Sequence, residues 1–235
     1  MSALPRRLLA EGLGTTLLLA TVVGSGVMGV ALGDGNDAVA LLANAGATAG
    51  MLYVLITVLG PVSGAQFNPA VSLAMALLGE QRVRDAMLYA VVHVLAAIVG
   101  VVLAHAMFDL PWLQSGTQVR TGPSQWLSEG VATFGLVLTI LLGARHRPAA
   151  LPTLVAAYIF AAYWFTASTS FANPAVTVAR SLTGTFAGIR PEDVAGFVFA
   201  QAAGVVVALG VHRALAGKDE PTGGTLGRTE SARRD

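Results

Sequence analysis

The tripeptide Asn-Pro-Ala occurs twice in this 235-residue chain, as Asn68, Pro69 and Ala70 and again as Asn173, Pro174 and Ala175. Asparagine is a strong helix N-cap because its side-chain oxygen accepts an orphan backbone N–H, and proline is favoured next, where no donor is needed. Each tripeptide therefore predicts a helix start. With the oxygen engaged in the cap, the NH₂ group of each asparagine is left to face a pore as a donor.

A lone Asn-Pro-Ala occurs often by chance and usually only caps a helix. Two copies, each placed between apolar spans, favour a pore. Each short helix directs about half a positive charge at the membrane midplane, so an arriving cation or proton is opposed by fixed dipoles. The pair of tripeptides therefore indicates a pore that passes neutral solutes and excludes charge.

Composition supports a membrane protein and disfavours several other classes. Hydrophobic residues make up 54% of the chain and charged residues 11%, against roughly one quarter charged in soluble domains. The net charge of +1 gives no basic field for nucleic acid, and the absence of cysteine excludes disulfides, thiolate metal sites and cysteine nucleophiles. Because no metal-ligand cluster or nucleophile-base set is evident either, we expect no metal, no cofactor and no enzyme.

Windows of about 20 apolar residues, enough to cross a bilayer as a helix, occur six times. They cover roughly Leu8 to Ala31, Val39 to Leu59, Ala86 to Phe108, Gln125 to Gly143, Ala149 to Ala167 and Val194 to Arg213. The stretches that begin at Asn68 and Asn173 are too short to span. Irregular backbone at membrane depth is tolerated only where it is buried or lines a cavity, so both are predicted to be re-entrant half-helices.

The order of span, span, half-helix and span repeats once along the chain. Three spans in each half force the second half to be inverted, and Glu11 and Glu129 occupy matching places in the first and fourth spans. The sequence thus predicts an all-α, aquaporin-like inverted repeat with halves at about 1–110 and 120–215, and a solute site at the midplane. Residues 216–235 are polar and are expected to form a disordered cytoplasmic tail.

The arginines that flank the spans predict the orientation by the positive-inside tendency. Most fall on one side, and the opposite loops hold only Arg120 and Arg190. Both termini are therefore expected to be cytoplasmic, in a multi-pass protein of the inner (plasma) membrane of the cell.

The segments SGAQFNPAVSLA and FANPAV, together with Glu11 and Glu129, resemble the major intrinsic protein family of aquaporins and glycerol facilitators over about residues 6–215. The resemblance implies a homotetramer in the lipid bilayer with one pore per subunit and no cofactor. A carboxylate inside a span needs partners, and loop N–H groups are expected to supply them, with a proton relay as the alternative. His93 and Gln201 are expected to brace the re-entrant loops, although His93 is also open to a pH-sensing role.

Val176 stands where members of this family usually have an arginine, directly after the second Asn-Pro-Ala. Counting the family's usual intervals nominates Thr48, Ala161 and either Ser170 or Phe171 as the other filter positions. These mostly small side chains predict a wide, weakly polar constriction, which Phe171 would narrow. Arg180 lies one helical turn beyond Val176 and is expected either to place its charge in the vestibule or to pair locally. His105, His146 and His212, near span ends, are interpreted as interfacial.

Val176 and the following VTVARSLT resemble a bacterial subgroup associated with arsenic resistance. The resemblance implies a passive channel for neutral arsenite or methylarsenite, with glycerol and water as further solutes. As(OH)₃ is nearly uncharged at neutral pH and is similar to a small polyol in size and hydrogen bonding. The alternatives are an ordinary water or glycerol channel and, from another class, a non-conducting membrane scaffold.

Overall fold

The computed structural model describes residues 3–216, which form eight α-helices and no strand. The helices are α1 (Leu4–Leu32), α2 (Asp37–Ser63), α3 (Pro69–Leu77), α4 (Val83–Met107), α5 (Pro123–His146), α6 (Leu151–Phe165), α7 (Pro174–Arg180) and α8 (Val194–Ala216). Single 3₁₀ turns precede α6 and α8. The all-α prediction and the six predicted spans are confirmed, with each span longer or shorter by a few residues than its apolar window.

Six of the helices are long and apolar enough to cross a bilayer. Their outward faces carry large hydrophobic side chains at the four-residue spacing of a helix surface, for example Met87, Val91, Leu95 and Val99 on α4. In a soluble protein such a surface would be a liability. Here it is the surface that meets lipid, and the chain is a multi-pass membrane protein.

The two short helices are too short to span and lie inside the bundle. At 1.5 Å per residue, α3 is about 14 Å long and α7 about 11 Å. Both pack between α4 and α8, and they contact one another. The predicted re-entrant half-helices are therefore present, and each begins at its proline with the preceding asparagine as N-cap.

The long helices of the two halves cross in matching pairs, α1 with α4 and α5 with α8. Glycine permits both crossings. A Cβ on Gly100 would lie 2.4 Å from the carbonyl oxygen of Thr16, and a Cβ on Gly204 would lie 2.5 Å from that of Gly130. The inverted repeat is thus visible in the packing as well as in the helix order, while the packing of α2 against α6 joins the halves. The predicted tail, residues 216–235, lies outside the described residues apart from Ala216.

Candidate functional site

The two half-helices begin at facing asparagines in the middle of the bundle. Asn68 Oδ1 accepts a hydrogen bond from the Ala70 N–H at 2.8 Å, and Asn173 Oδ1 accepts from the Ala175 N–H at 3.0 Å. Both caps have extended backbone, which is the usual N-cap conformation. The N-terminal ends of both helix dipoles therefore converge near the midplane.

The asparagine amides also link the two halves of the repeat. Asn68 Nδ2 donates to the carbonyl oxygen of Ala172 at 2.8 Å, and Asn173 Nδ2 donates to that of Phe67 at 2.8 Å. An amide nitrogen carries two hydrogens, so one on each asparagine is used in this cross-link. The expectation that the whole NH₂ group faces the pore needs correction, because only the second N–H of each amide is left for a solute.

Buried Glu11 holds the loop before α3. Its carboxylate accepts hydrogen bonds from the backbone N–H groups of Gln66 at 3.1 Å and Phe67 at 2.7 Å, and His93 Nε2 donates to it at 2.8 Å. The loop needs such support because Ala65 and Phe67 have left-handed backbone, with φ of 49° at each, which is costly for residues other than glycine.

Buried Glu129 holds the loop before α7 in the same way. It accepts from the N–H groups of Phe171 at 2.8 Å and Ala172 at 2.9 Å, and Gln201 Nε2 donates to it at 2.6 Å. This loop also has left-handed residues, with φ of 61° at Thr169, 52° at Ser170 and 46° at Ala172. The two carboxylates are thus matched positioning groups, and each holds the loop before the half-helix of its own half of the repeat.

A partly open cavity of about 40 Å³ lies beside the start of α7. We call it the filter cavity, and its lining residues are Leu18, Val22, Thr48, Leu52, Ile159, Tyr163, Ser170, Phe171, Val176 and Arg180. This volume is far below the range of about 300–1,000 Å³ for sites that hold drug-sized ligands, so the cavity is a narrow one. Its lining is apolar on most sides, with hydroxyl groups and one guanidinium as polar groups.

The filter cavity includes Thr48, Ser170, Phe171 and Val176 from the predicted set, but Ala161 is absent from it. Ala161 is exposed on the outer surface of α6. Residues four apart share a helix face and residues two apart do not, so Ile159 and Tyr163 reach the cavity instead. Tyr163 hydroxyl lies 3.3 Å from Thr48 Oγ1, so an aromatic ring replaces the small side chain expected from α6.

Arg180 points inward. Its Nε donates to the carbonyl oxygen of Ala187, its guanidinium carbon lies 3.4 Å from the centroid of the Phe171 ring, and the side chain lines the filter cavity. It therefore has both a cavity position and a local carbonyl partner, the two alternatives left open by the sequence. The expected wide, weakly polar constriction needs correction, because two aromatic rings and a cation line it.

The positions of two residues beside this site, one in the last turn of α4 and one between α4 and α5, were not predicted from the sequence. His105, expected at the interface, is fully buried, with Nδ1 at 2.9 Å from the Trp112 carbonyl and Nε2 at 2.8 Å from Thr183 Oγ1. Arg120 lies against Phe171 with 5.0 Å between its guanidinium carbon and the ring centroid. Burial lowers the pKa of Arg120, but arginine still carries its charge at neutral pH. Both contacts depend on loop folding that no local sequence pattern signals.

The family model for the major intrinsic protein matches residues 1–172. The chain belongs to this family. It is 60% identical over 212 residues to aquaglyceroporin AqpS of Rhizobium meliloti (strain 1021), an alignment that covers 90% of this chain and 91% of the relative. It is also 30% identical over 116 residues to the glycerol uptake facilitator protein of Bacillus subtilis (strain 168), covering 44% of this chain and 42% of the relative.

A solved structure supports the fold. The X-ray structure of the aquaglyceroporin from Plasmodium falciparum matches with a TM-score of 0.73 at 19% identity, covering 89% of this chain and 96% of that one. Family membership and the two half-helices together make this chain a passive membrane channel for small solutes and not an enzyme.

Proposed function

We propose that this channel passes small uncharged hydroxyl compounds in either direction, and that its principal solutes are trivalent arsenicals such as arsenite and methylarsenite, with glycerol and water as further solutes. The proposal rests on the amphipathic lining of the filter cavity and on the absence of a cation at Val176. A neutral solute with several hydroxyl groups matches such a lining, because its carbon or arsenic face can lie against apolar side chains while its hydroxyls find polar partners.

The observation that supports this proposal is a pair of buried polar atoms at the cavity. Within residues 3–216, Ser170 Oγ and Arg180 Nη1 have no hydrogen-bond partner, and both residues line the cavity. A buried polar group without a partner costs about 1–3 kcal/mol. A solute hydroxyl that bonds to them recovers this cost during passage, whereas a cation faces Arg180 and the two helix dipoles.

Arsenite is the favoured solute because Val176 and the following VTVARSLT resemble a bacterial subgroup associated with arsenic resistance, and because As(OH)₃ is neutral and polyol-like. The 60% identical relative is named an aquaglyceroporin, which supports glycerol as a further solute. Glycerol fits the same chemistry. The test is a light-scattering assay on proteoliposomes in hyperosmotic glycerol, with arsenite uptake measured on the same vesicles. We expect shrinkage followed by re-swelling and arsenite entry above protein-free vesicles. Shrinkage without re-swelling, together with no arsenite entry, would refute the proposal.

An ordinary water channel is the second candidate, and the stacking of Arg180 on Phe171 favours it because these groups narrow the cavity. The variant Val176→Arg distinguishes a channel for hydroxyl compounds from an ordinary water channel. If the filter admits polyols, the added side chain is expected to lower glycerol permeability by about tenfold or more, since a pocket discriminates strongly by size, while some water permeability stays. Equal glycerol permeability in Val176→Arg and the wild type would favour the water channel.

We further propose a homotetramer in the inner (plasma) membrane with both termini cytoplasmic. An exposed groove of mostly small residues between α2 and α6 suits close helix packing with a second copy, and its lining residues are Ala49, Gly50, Tyr53, Thr153, Ala156, Ala157 and Phe160. The mass of the detergent-solubilised protein tests the tetramer, and protease protection of tags at each terminus tests the orientation. A monomeric mass or an externally cleaved tag would contradict the corresponding statement.

A further inference from the structure

Arg120, in the segment between α4 and α5, contacts the loop that lines the filter cavity without lining the cavity itself. We call residues 108–122 the α4–α5 linker. It runs beside the segment that follows α7, because Gln114 N–H donates to the Leu182 carbonyl at 3.1 Å and Gly116 N–H donates to that of Ser181 at 2.8 Å. A Cβ on Gly116 would lie 2.0 Å from the Ile189 carbonyl oxygen, so the linker lies in close backbone contact there.

This contact places the Arg120 side chain within reach of the segment before α7 and of the segment after it. Its Nε donates to the Gly188 carbonyl at 2.9 Å, beyond the end of the half-helix. Its Nη1 donates to the Ser168 carbonyl at 3.1 Å and lies 3.4 Å from Thr169 Oγ1, before the start of the half-helix. One guanidinium group thus bridges the chain entering α7 and the chain leaving it, which a rigid planar fork of donors does well.

The backbone of Arg120 is fixed as well. Its N–H donates to Asp193 Oδ2 at 2.8 Å, at the start of α8. The backbone of Arg120 is therefore bonded to the residue before α8, and its guanidinium is bonded to the loop that carries Ser170 and Phe171. That loop has three left-handed residues in a row of four, at 169, 170 and 172, and such a conformation persists only when surrounding contacts hold it.

The Arg120 guanidinium also contacts the ring of Phe171, which lines the filter cavity. Its central carbon is 5.0 Å from the Phe171 ring centroid, within the range of a cation–π contact, and the Arg180 guanidinium contacts the same ring. Neither guanidinium forms a salt bridge with a carboxylate inside residues 3–216. Phe171 is further packed edge-on against Phe197 at 5.2 Å. Two cations are thus held at one aromatic side chain of the cavity.

We propose that Arg120 is a specificity-determining positioning residue of this channel: it holds Phe171 in the filter cavity and adds a second positive charge beside Arg180. This inference rests on the proposed function only in taking the filter cavity as the solute path. It means that positive charge, which is absent at Val176, is supplied to the filter from the α4–α5 linker and the end of α7.

The test compares full-length variants in liposomes by the ratio of glycerol permeability to water permeability. Arg120→Ala frees the Phe171 ring, and the ratio is expected to rise about threefold or more, the size of effect that loss of a cation–π contact gives. Arg120→Lys keeps the charge but cannot hold two carbonyls with one fork, so it is expected to raise the ratio in the same direction. Arg84→Ala removes an exposed arginine on α4 and should leave the ratio at the wild-type value.

A double-variant cycle shows whether Arg120 acts through Phe171. Phe171→Leu alone is expected to raise the ratio, and adding Arg120→Ala to it should raise the ratio by a smaller factor than Arg120→Ala does in the wild type, because the ring that Arg120 holds is gone. A merely structural role would lower both permeabilities together and leave their ratio unchanged. A wild-type ratio in Arg120→Lys or Arg120→Ala, or effects that multiply fully in the double variant, would overturn the inference.

Failure of the proposed function can be distinguished from failure of the inference on Arg120. A wild-type protein that passes water but no glycerol contradicts the polyol channel, yet the Arg120 variants are then still expected to admit glycerol. If they too exclude glycerol in that case, the inference on Arg120 fails as well.

Discussion

Replacing Glu129 by glutamine tests whether the loop before α7 is held by a buried carboxylate. In the wild type, one oxygen of Glu129 accepts from the Phe171 N–H, and the other accepts from the Ala172 N–H and from Gln201. Glutamine offers one oxygen and one NH₂ group. One loop N–H therefore loses its acceptor and faces another donor in a fully buried site.

The cost of this substitution follows from the bonds that are lost. A buried donor left without a partner costs about 1–3 kcal/mol, and the remaining bonds lose the extra strength that a charged acceptor gives. We expect destabilisation of about 2–4 kcal/mol, which corresponds to roughly 4–16 °C in unfolding temperature for a chain of this size. Water permeability should fall as well, because the loop carries Ser170 and Phe171 into the filter cavity.

The assay is thermal unfolding of the purified protein in detergent, followed by the fluorescence of its three tryptophans, with water permeability measured on vesicles of equal protein content. Glu192→Gln is the matched control, because Glu192 is exposed and such surface changes stay within about 0.5 kcal/mol. A Glu129→Gln protein that unfolds at the wild-type temperature and conducts water normally would show that the buried carboxylate is not needed to hold the loop.

Three further predictions concern the packing and the matched loops. Gly100→Ala should destabilise the crossing of α1 and α4 by about 1–3 kcal/mol through overpacking. Gly210→Ala is the control and should leave stability unchanged, because nothing lies within 4 Å of the added Cβ. Thermal unfolding of both variants tests this prediction. Asn173→Asp keeps the capping oxygen but places a carboxylate oxygen against the Phe67 carbonyl, which accepts from Asn173 Nδ2 in the wild type. Water permeability should therefore fall several-fold. Unchanged water permeability would argue against a role for the bond between Asn173 and Phe67. His93→Gln should keep the hydrogen bond to Glu11 and shift the free energy of unfolding by less than about 1.5 kcal/mol, and a larger loss would show that the imidazole itself is required.

The spans and half-helices could be predicted because their signals are local. Hydropathy over about 20 residues is enough to mark a membrane helix, and Asn68 followed by Pro69 contains both an N-cap and the residue that begins a helix without a donor. The matching places of Glu11 and Glu129 in the two halves were likewise readable from the sequence, because AEGLGTTLLL in the first span is similar to SEGVATFGLVL in the fourth.

The filter could be predicted only in part, because it depends on rotation and on loop folding. Each residue turns a helix by about 100°, so a two-residue error in counting along α6 replaced Tyr163 with Ala161 and changed the expected polarity of the cavity. The inward position of Arg180 depends on the Ala187 carbonyl, which the segment after α7 brings back to it. Arg120 is 51 residues from Phe171 in sequence, and only backbone pairing of the α4–α5 linker brings them together.

The proposed function is conduction of neutral solutes down their gradient with exclusion of ions. The most direct measurement follows glycerol flux into and out of the same proteoliposomes under equal and opposite gradients, with membrane current and internal pH recorded at an imposed voltage. A neutral-solute channel should show equal glycerol flux in both directions, no dependence on voltage, and neither current nor pH change above protein-free vesicles. A current or proton flux that depends on the protein, or glycerol flux that requires voltage or an ion gradient, would contradict it.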